Sequence, residues 1–229
     1  MVAAGGTPAG AGRSTPTHRA AMTSLPAAAF LRVDESDDGL FYAAPRLVHH
    51  IDDGARAAVT ALYRGLVPEG ADVLDLMSSW VSHLPPERAL GRVAGLGMND
   101  RELAANPRLT ERTVQDLNAD PALPYADGAF DAALCCVSVQ YLTRPAEVFA
   151  EVGRVLRPGA PFAVTFSNRC FPTKAVAAWR ALDDDGHAAL VAEYARQSGA
   201  FGPAEVTTHR PPAGDPLTGV VVRRLGADG

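Results

Sequence analysis

The stretch "ADVLDLMSSWVSHLPP", residues 71–86, has two unlike halves. Val73, Leu74 and Leu76 form a short apolar run around Asp75, as in a strand buried on both faces. In wound α/β sheets, the turn after such a strand holds a ligand. Those turns usually contain glycine, which accepts positive φ and lets a ligand touch the backbone. Here the turn reads Met77-Ser78-Ser79-Trp80. The two serines suit a cap on a short following helix, and their amides and hydroxyls suit a carboxylate at a helix N-terminus. Two readings stand open: a nucleotide-type site rebuilt without its glycines, or a site that has been lost.

Upstream, "FYAAPRLVHHIDDGARAAVTALYRGL" places Leu47, Ile51, Ala55, Ala58, Leu62 and Leu66 at helical spacing, with Pro45 suited to a helix start. Folded structure is expected from about Asp34. Downstream, "SHLPPERALG" predicts a short helix cut off by Pro85-Pro86. "RVAGLGM" reads as a strand, "NDRELAAN" as a helix capped by Asn99 or Asp100, and "RTVQDL" as a strand. "NADPALPYADGAFD" is a loop, "AALCCVSV" a strand, "RPAEVFAEVGRVLRPGA" a helix and "PFAVTFS" a fifth strand. "FPTKAVAAWRAL" and "DGHAALVAEYARQSG" are helical, and "AEVTTHRP" and "LTGVVVRRL" close as a hairpin. The fold class expected is α/β: a doubly wound, mainly parallel seven-stranded sheet with an antiparallel C-terminal hairpin. Ligands of such sheets bind beyond the carboxyl ends of the strands, here the loops after Leu76, Leu96, Asp116, Val137 and Phe166.

The 229 residues fit one domain over 34–229, with a helical lid over about 41–67. Residues 1–33 are rich in Ala, Gly, Pro and Thr, with Arg13, Arg19 and Arg32 and no acid. They read as a disordered tail, or an upstream start with Met22 as the true first residue; an organellar transit peptide is the alternative. The net charge of −5 offers no footprint for nucleic acid. No apolar run approaches the roughly 20 residues that span a bilayer. Cys135, Cys136 and Cys170 do not make a disulfide framework, so a reducing, cytoplasmic setting is expected. Cys135 and Cys136 are neighbours in a strand and point to opposite faces, which argues against a shared metal.

Three segments together carry a family resemblance: "VLDL" at 73–76, "QDLNADPALPYADGAFDAALCCVSVQYL" at 115–142 and "EVFAEVGRVLRPGAPFAVTFSNR" at 147–169. Over roughly residues 45–225 the chain resembles the class I S-adenosylmethionine (SAM)-dependent methyltransferases. It is also similar to a smaller subgroup that carries "VLDLMSSWVSHLP" and "SNRCFPTKA" in these forms. The resemblance implies SAM as cofactor and assigns roles at matching positions. Asp75 would orient the turn that holds the methionine part, with Met77, Ser78 and Ser79. Asp116 would accept from the adenine amino group, with the Leu117 backbone beside it. Val137 and Ser138 would line the floor near the methyl group, and Asp131 would be structural. Two positions depart from the family. The turn lacks its glycines, and the end of the second strand carries Gly97 where an acid usually holds the ribose hydroxyls. Asn99 would supply one amide contact there.

Methyl transfer from a sulfonium is an in-line displacement, so the protein mainly aligns the acceptor, and a base helps only if the acceptor loses a proton. Tyr42 and Arg46, in the leading segment, suit the SAM carboxylate; Arg binds carboxylates bidentately. His49, His50 and Asp53 are acid/base candidates, and His83 is a weaker one. Asn168 and Arg169, with Cys170 and Lys174, follow the fifth strand and fall on the crevice side; Tyr141 is a further wall candidate. The acceptor expected is a small molecule. The rival reading is a methyltransferase-fold protein without catalysis that binds a partner. A nicotinamide enzyme is disfavoured because no G-x-G-x-x-G follows the first strand.

Overall fold

The computed structural model describes residues 25–226. The tail expected over residues 1–33 therefore lies outside the described residues up to residue 24, and so does Met22. Strands β1 (Val73–Leu76), β2 (Val93–Gly97), β3 (Glu111–Val114), β4 (Ala132–Cys136), β5 (Pro161–Phe166), β6 (Glu205–His209) and β7 (Leu217–Arg223) form one sheet in the order β3-β2-β1-β4-β5-β7-β6. The first five pair in parallel, and β7 enters antiparallel between β5 and β6. Among the described residues six α-helices accompany it: α1 (Asp38–Phe41), α2 (Asp53–Leu66), α3 (Asp100–Ala105), α4 (Pro145–Val155), α5 (Ala177–Arg180) and α6 (Asp184–Ser198).

Alternation along the strands builds a core on each face. Leu74, Leu76, Ala133, Cys135, Phe162, Val164 and Phe166 pack on one side with Phe149 of α4 and Tyr194 of α6. Val73, Ala132, Leu134 and Ala163 pack on the other with Ala55, Val59 and Tyr63 of α2. Cys135 and Cys136 fall to opposite faces, as their adjacency requires. Strand order reverses at β1 and β4, which opens a crevice at their carboxyl ends.

Three local expectations fail. The helix expected from Pro45 begins at Asp53, where Asp52 caps it by accepting from the Ala55 amide at 2.8 Å. Leu47, the first residue of the expected helical pattern, is more than half exposed on a loop. The segment at 82–91 is a loop with one turn closed by Arg88 N–H to the Pro85 carbonyl. Only one helical turn, α5, forms within residues 171–182, because the chain there bends to bury Lys174. Packed structure also starts before Asp34: Phe30 meets Tyr194 with ring centroids 6.2 Å apart, and the Ala177 amide donates to the Leu31 carbonyl at 2.8 Å.

Candidate active site

A cavity of about 320 Å³ lies over the carboxyl ends of β1, β2, β3 and β4, closed on one side by residues 169–171 and roofed by residues between Asp38 and Ile51. Its floor is the turn after β1. Met77 sits there at φ 54°, the left-handed conformation usually left to glycine. His83 (φ 52°) and Val137 (φ 46°) share that conformation and also line the cavity. For β-branched Val137 this is a true outlier, and strain of this kind costs on the order of 1–3 kcal/mol per residue. All three non-glycine residues with positive φ among the described residues therefore border one cavity.

The turn is held from below and from the side. Buried Asp75 accepts from the Ser78 and Ser82 hydroxyls, both at 2.6 Å, so the serines brace the acid. Burial pushes the Asp75 carboxyl up to about 6, against those two hydrogen bonds. The Ser78 amide donates to the Leu96 carbonyl at 2.7 Å, which lays the turn over the end of β2. A Cβ at Gly97 would lie 2.2 Å from the Ser78 carbonyl oxygen. Glycine at the end of β2 thus supplies the room that the turn itself does not.

Glu102, absent from the sequence candidates, is central to this edge. Its carboxylate accepts from the Ser79 hydroxyl and from the Arg46 amide, both at 2.6 Å, and it lines the cavity beside Gly97. Its only sequence signal is an acid five places after Gly97, in the first turn of α3. Asn99 lines the cavity but is committed. Its oxygen caps α3 at the Arg101 and Glu102 amides, and its amide nitrogen donates to the Tyr42 and Ala43 carbonyls. It ties the roof down rather than offering a free contact for a ribose.

On the far side, Asp116 accepts from the Asn118 amide through Oδ1 at 2.8 Å, and its Oδ2 has no hydrogen-bond partner among the described residues. Leu117 is buried beside it. Asn118 bonds Asp38, the Tyr141 carbonyl and Thr143, and so joins the β3 loop to the roof. Ser138 meets Cys135 Sγ at 3.3 Å.

The roof is fastened by a buried cation. Lys174 is fully buried and contacts Asp38 at 3.0 Å, Asp34 at 3.3 Å and the Ser36 carbonyl at 2.7 Å. Arg32 pairs with the same Asp38 at 2.7 Å. These partners hold the Asp38 carboxyl below its ordinary range although burial opposes them. Arg46 lies in an aromatic box, with its guanidinium 4.6 Å from Phe41, 5.4 Å from Phe171 and 5.7 Å from Tyr42. Its Nη2 donates to the Phe41 carbonyl, and its buried Nη1 has no partner.

The acid/base candidates separate. His49 stacks on Trp80 at 4.6 Å and receives a hydrogen bond from Arg56 at its Nε2 (2.8 Å), which fixes its proton on Nδ1 and occupies the other nitrogen. His50 stands edge-on to Phe171 at 5.5 Å, and neither ring nitrogen has a hydrogen-bond partner among the described residues. Burial lowers its pKa, which favours the uncharged imidazole. Burial also brings His83 down to about 4. Tyr141 is a wall. Its hydroxyl accepts from the Phe171 amide at 2.8 Å, burial raises it to about 12, and its ring stacks on Phe171. Arg169 lines the cavity while its Nε binds Asp215 at 2.8 Å. Asp53 is exposed and pairs with Arg56 away from the cavity, and Lys174 lies under the roof. Asn168 is also placed elsewhere. It is exposed and borders a separate open depression with His187 and Arg210. Asp131 is far from this chemistry: it accepts from the Asp72 amide and pairs with Arg157. Among the described residues no group of three His, Cys, Asp or Glu side chains is placed to hold a metal, and no helix is long and apolar enough to cross a membrane.

These residues fit SAM. Asp116 keeps an oxygen for an amino group, and Arg46 Nη1 is left for an anion. The Ser79 and Trp80 amides donate to no protein acceptor among the described residues.

Residues 78–164 match the family described as a methyltransferase domain. A 66-residue stretch is 32% identical to the biotin biosynthesis bifunctional protein BioHC of Teredinibacter turnerae; that match covers 29% of this chain and 12% of the relative. Solved structures share the fold at low identity. The [4+2]-cyclase SpnF aligns at TM-score 0.57 and 16% identity, over 82% of this chain and 92% of its own. A SAM-dependent methyltransferase from Mesorhizobium loti aligns at 0.50 and 18%, over 72% and 96%. Phosphoethanolamine N-methyltransferase 2 of Haemonchus contortus, in complex with SAM, aligns at 0.53 and 13%, over 75% and 52%. A methyltransferase-domain match over residues 78–164 and this sheet order together show that the chain has the fold of the class I SAM-dependent methyltransferases.

Proposed function

We propose that the chain binds SAM in this cavity and transfers its methyl group to a small-molecule acceptor. The observation that carries the reading is the set of unused polar groups around one cavity: Asp116 Oδ2, the Ser79 and Trp80 amides and Arg46 Nη1. In this reading Asp116 and Leu117 take the adenine, Glu102 takes over the ribose contacts that Gly97 cannot make, and the serine turn takes the methionine end. When bound, SAM supplies an electrophilic methyl group. The protein's part is alignment and exclusion of water. Val137 and Ser138 form the floor under the acceptor. Tyr141 and Phe171 wall it, and neutral His50 accepts a proton where the acceptor loses one.

Calorimetric titration with SAM and with S-adenosylhomocysteine, beside Asp116→Ala, tests the reading. Micromolar binding, weakened at least about tenfold in the variant, is expected, since a lost hydrogen bond to a charged group removes about 1.5–3 kcal/mol. Absence of binding to either ligand would refute it. That result would favour the rival reading, a methyltransferase-fold protein without catalysis that binds a partner.

A further inference from the structure

β6 is a strand without a buried side chain. All five residues from Glu205 to His209 are exposed, helices α2 and α6 pack on β7, and β6 is the free edge of the sheet. Protected edge strands normally carry lysines, an internal proline or a bulge, or are covered. β6 instead reads Glu-Val-Thr-Thr-His, a regular ladder partner of β7 with β-branched residues at three central places.

Its sequence is self-complementary when reversed. A two-fold axis at Thr207 sets Glu205 against His209 of a second copy at both ends, Val206 against Thr208, and Thr207 against Thr207. Opposed acid–imidazole, β-branched and Thr–Thr pairs are the favourable cross-strand kinds. In an antiparallel pair, opposed residues must share hydrogen-bonding phase. An axis on one residue meets that rule whichever phase faces outward. Pro203 and Pro211, which lack a backbone N–H, stand opposite one another at the ends and limit the pairing to residues 204–210. Because each copy uses the same strand, the contact closes at two.

We propose that β6 is the interface of a symmetric dimer in which two sheets join edge to edge through antiparallel β6–β6 pairing. The occupant is a second copy of this chain. One short strand pair buries less than the roughly 1,200–2,000 Å² of stable complexes, so the dimer is a weak, concentration-dependent one.

Sedimentation velocity of the full chain over a rising micromolar series tests this. A reversible monomer–dimer equilibrium is expected. Glu205→His and His209→Glu should each weaken it about tenfold or more, since each sets two like pairs opposite one another. The double exchange restores the opposed pairs and should restore the dimer. Thr207→Pro should be monomeric. A wild type that stays monomeric throughout overturns the proposal. So does a dimer indifferent to all four variants, or assemblies that grow beyond two, which would indicate β6 pairing with the other edge, β3. Glu205 and His209 are both exposed, so the exchange series stays informative if the proline variant misfolds. SAM affinity plays no part in the readout.

Discussion

Gly97→Ala puts the contact between the β1 turn and β2 to a quantitative test. The added methyl would lie 2.2 Å from the Ser78 carbonyl oxygen and 3.2 Å from Leu103 Cδ2. A carbon–oxygen contact relaxes only near 3.3 Å, so the turn must retreat by about 1 Å. Overpacking of this kind costs about 1–3 kcal/mol, and losing the Ser78–Leu96 hydrogen bond adds about 0.5–1.5. Alanine returns about 0.4–1 kcal/mol by stiffening the unfolded chain. The net expectation is a loss of about 0.5–4 kcal/mol, centred near 2, or on the order of 4–8 °C in melting temperature at that centre for a domain of this size. The same 1 Å retreat moves Ser78 and Ser79 off the proposed methionine site, and misplacement on that scale costs on the order of 10²-fold in rate. Thermal unfolding and calorimetric SAM titration on the same samples measure both effects. Gly65→Ala is the control: nothing lies within 4 Å of its Cβ, it sits inside α2, and it should gain roughly 0.5–1 kcal/mol. A Gly97→Ala protein as stable as wild type, with unchanged affinity for SAM, would refute the argument that this glycine makes room for the turn.

Lys174→Ala should cost about 3–5 kcal/mol in denaturant unfolding, because Asp34 and the buried Asp38 lose their common cation. Asp75 sets a pH dependence of defined sign. Its folded pKa, about 6, lies above the ordinary 3.8, so the folded state binds the extra proton between these values and stability falls as pH rises from about 4 to 6. The stability difference between wild type and Asp75→Asn should therefore shift against wild type by about 3 kcal/mol across that window; a flat difference in paired denaturation curves would contradict it. His50→Gln should leave SAM affinity unchanged and lower turnover by about 10²–10⁴-fold for an acceptor that loses a proton; unaltered S-adenosylhomocysteine release would remove His50 from proton transfer.

The sheet was legible because its strands are apolar runs punctuated by turn residues, and a strand buried on both faces allows little else. The roof was less so. Leu47 and Ile51 share helical spacing with Ala55 and later residues of α2, yet the Asp52 cap starts the helix at Asp53 and leaves both outside it. Periodicity does not register a cap that wins locally. Asn168 has the right side chain for the crevice, but the bend of the 169–174 loop around Lys174 turns the crevice side over to Arg169, Cys170 and Phe171. Glu102 was hidden for the opposite reason. An acid in the first turn of a helix is the commonest of helix-start residues, and only the lie of the Ser78–Ser79 turn across β2 turns it into a partner of the cavity.

Glycine performs two separate services in a nucleotide-type turn, and this chain divides them. Met77 carries the left-handed backbone in its own residue, while the clearance for a crossing main chain comes from Gly97, on a neighbouring strand and twenty positions away. A signature that searches one contiguous stretch for glycines scores such a chain as defective. Written as a condition on a pair of positions, turn or facing strand, the same requirement would recognise it, and members of the fold that look degenerate in one dimension would be sorted by where the small residue stands in three.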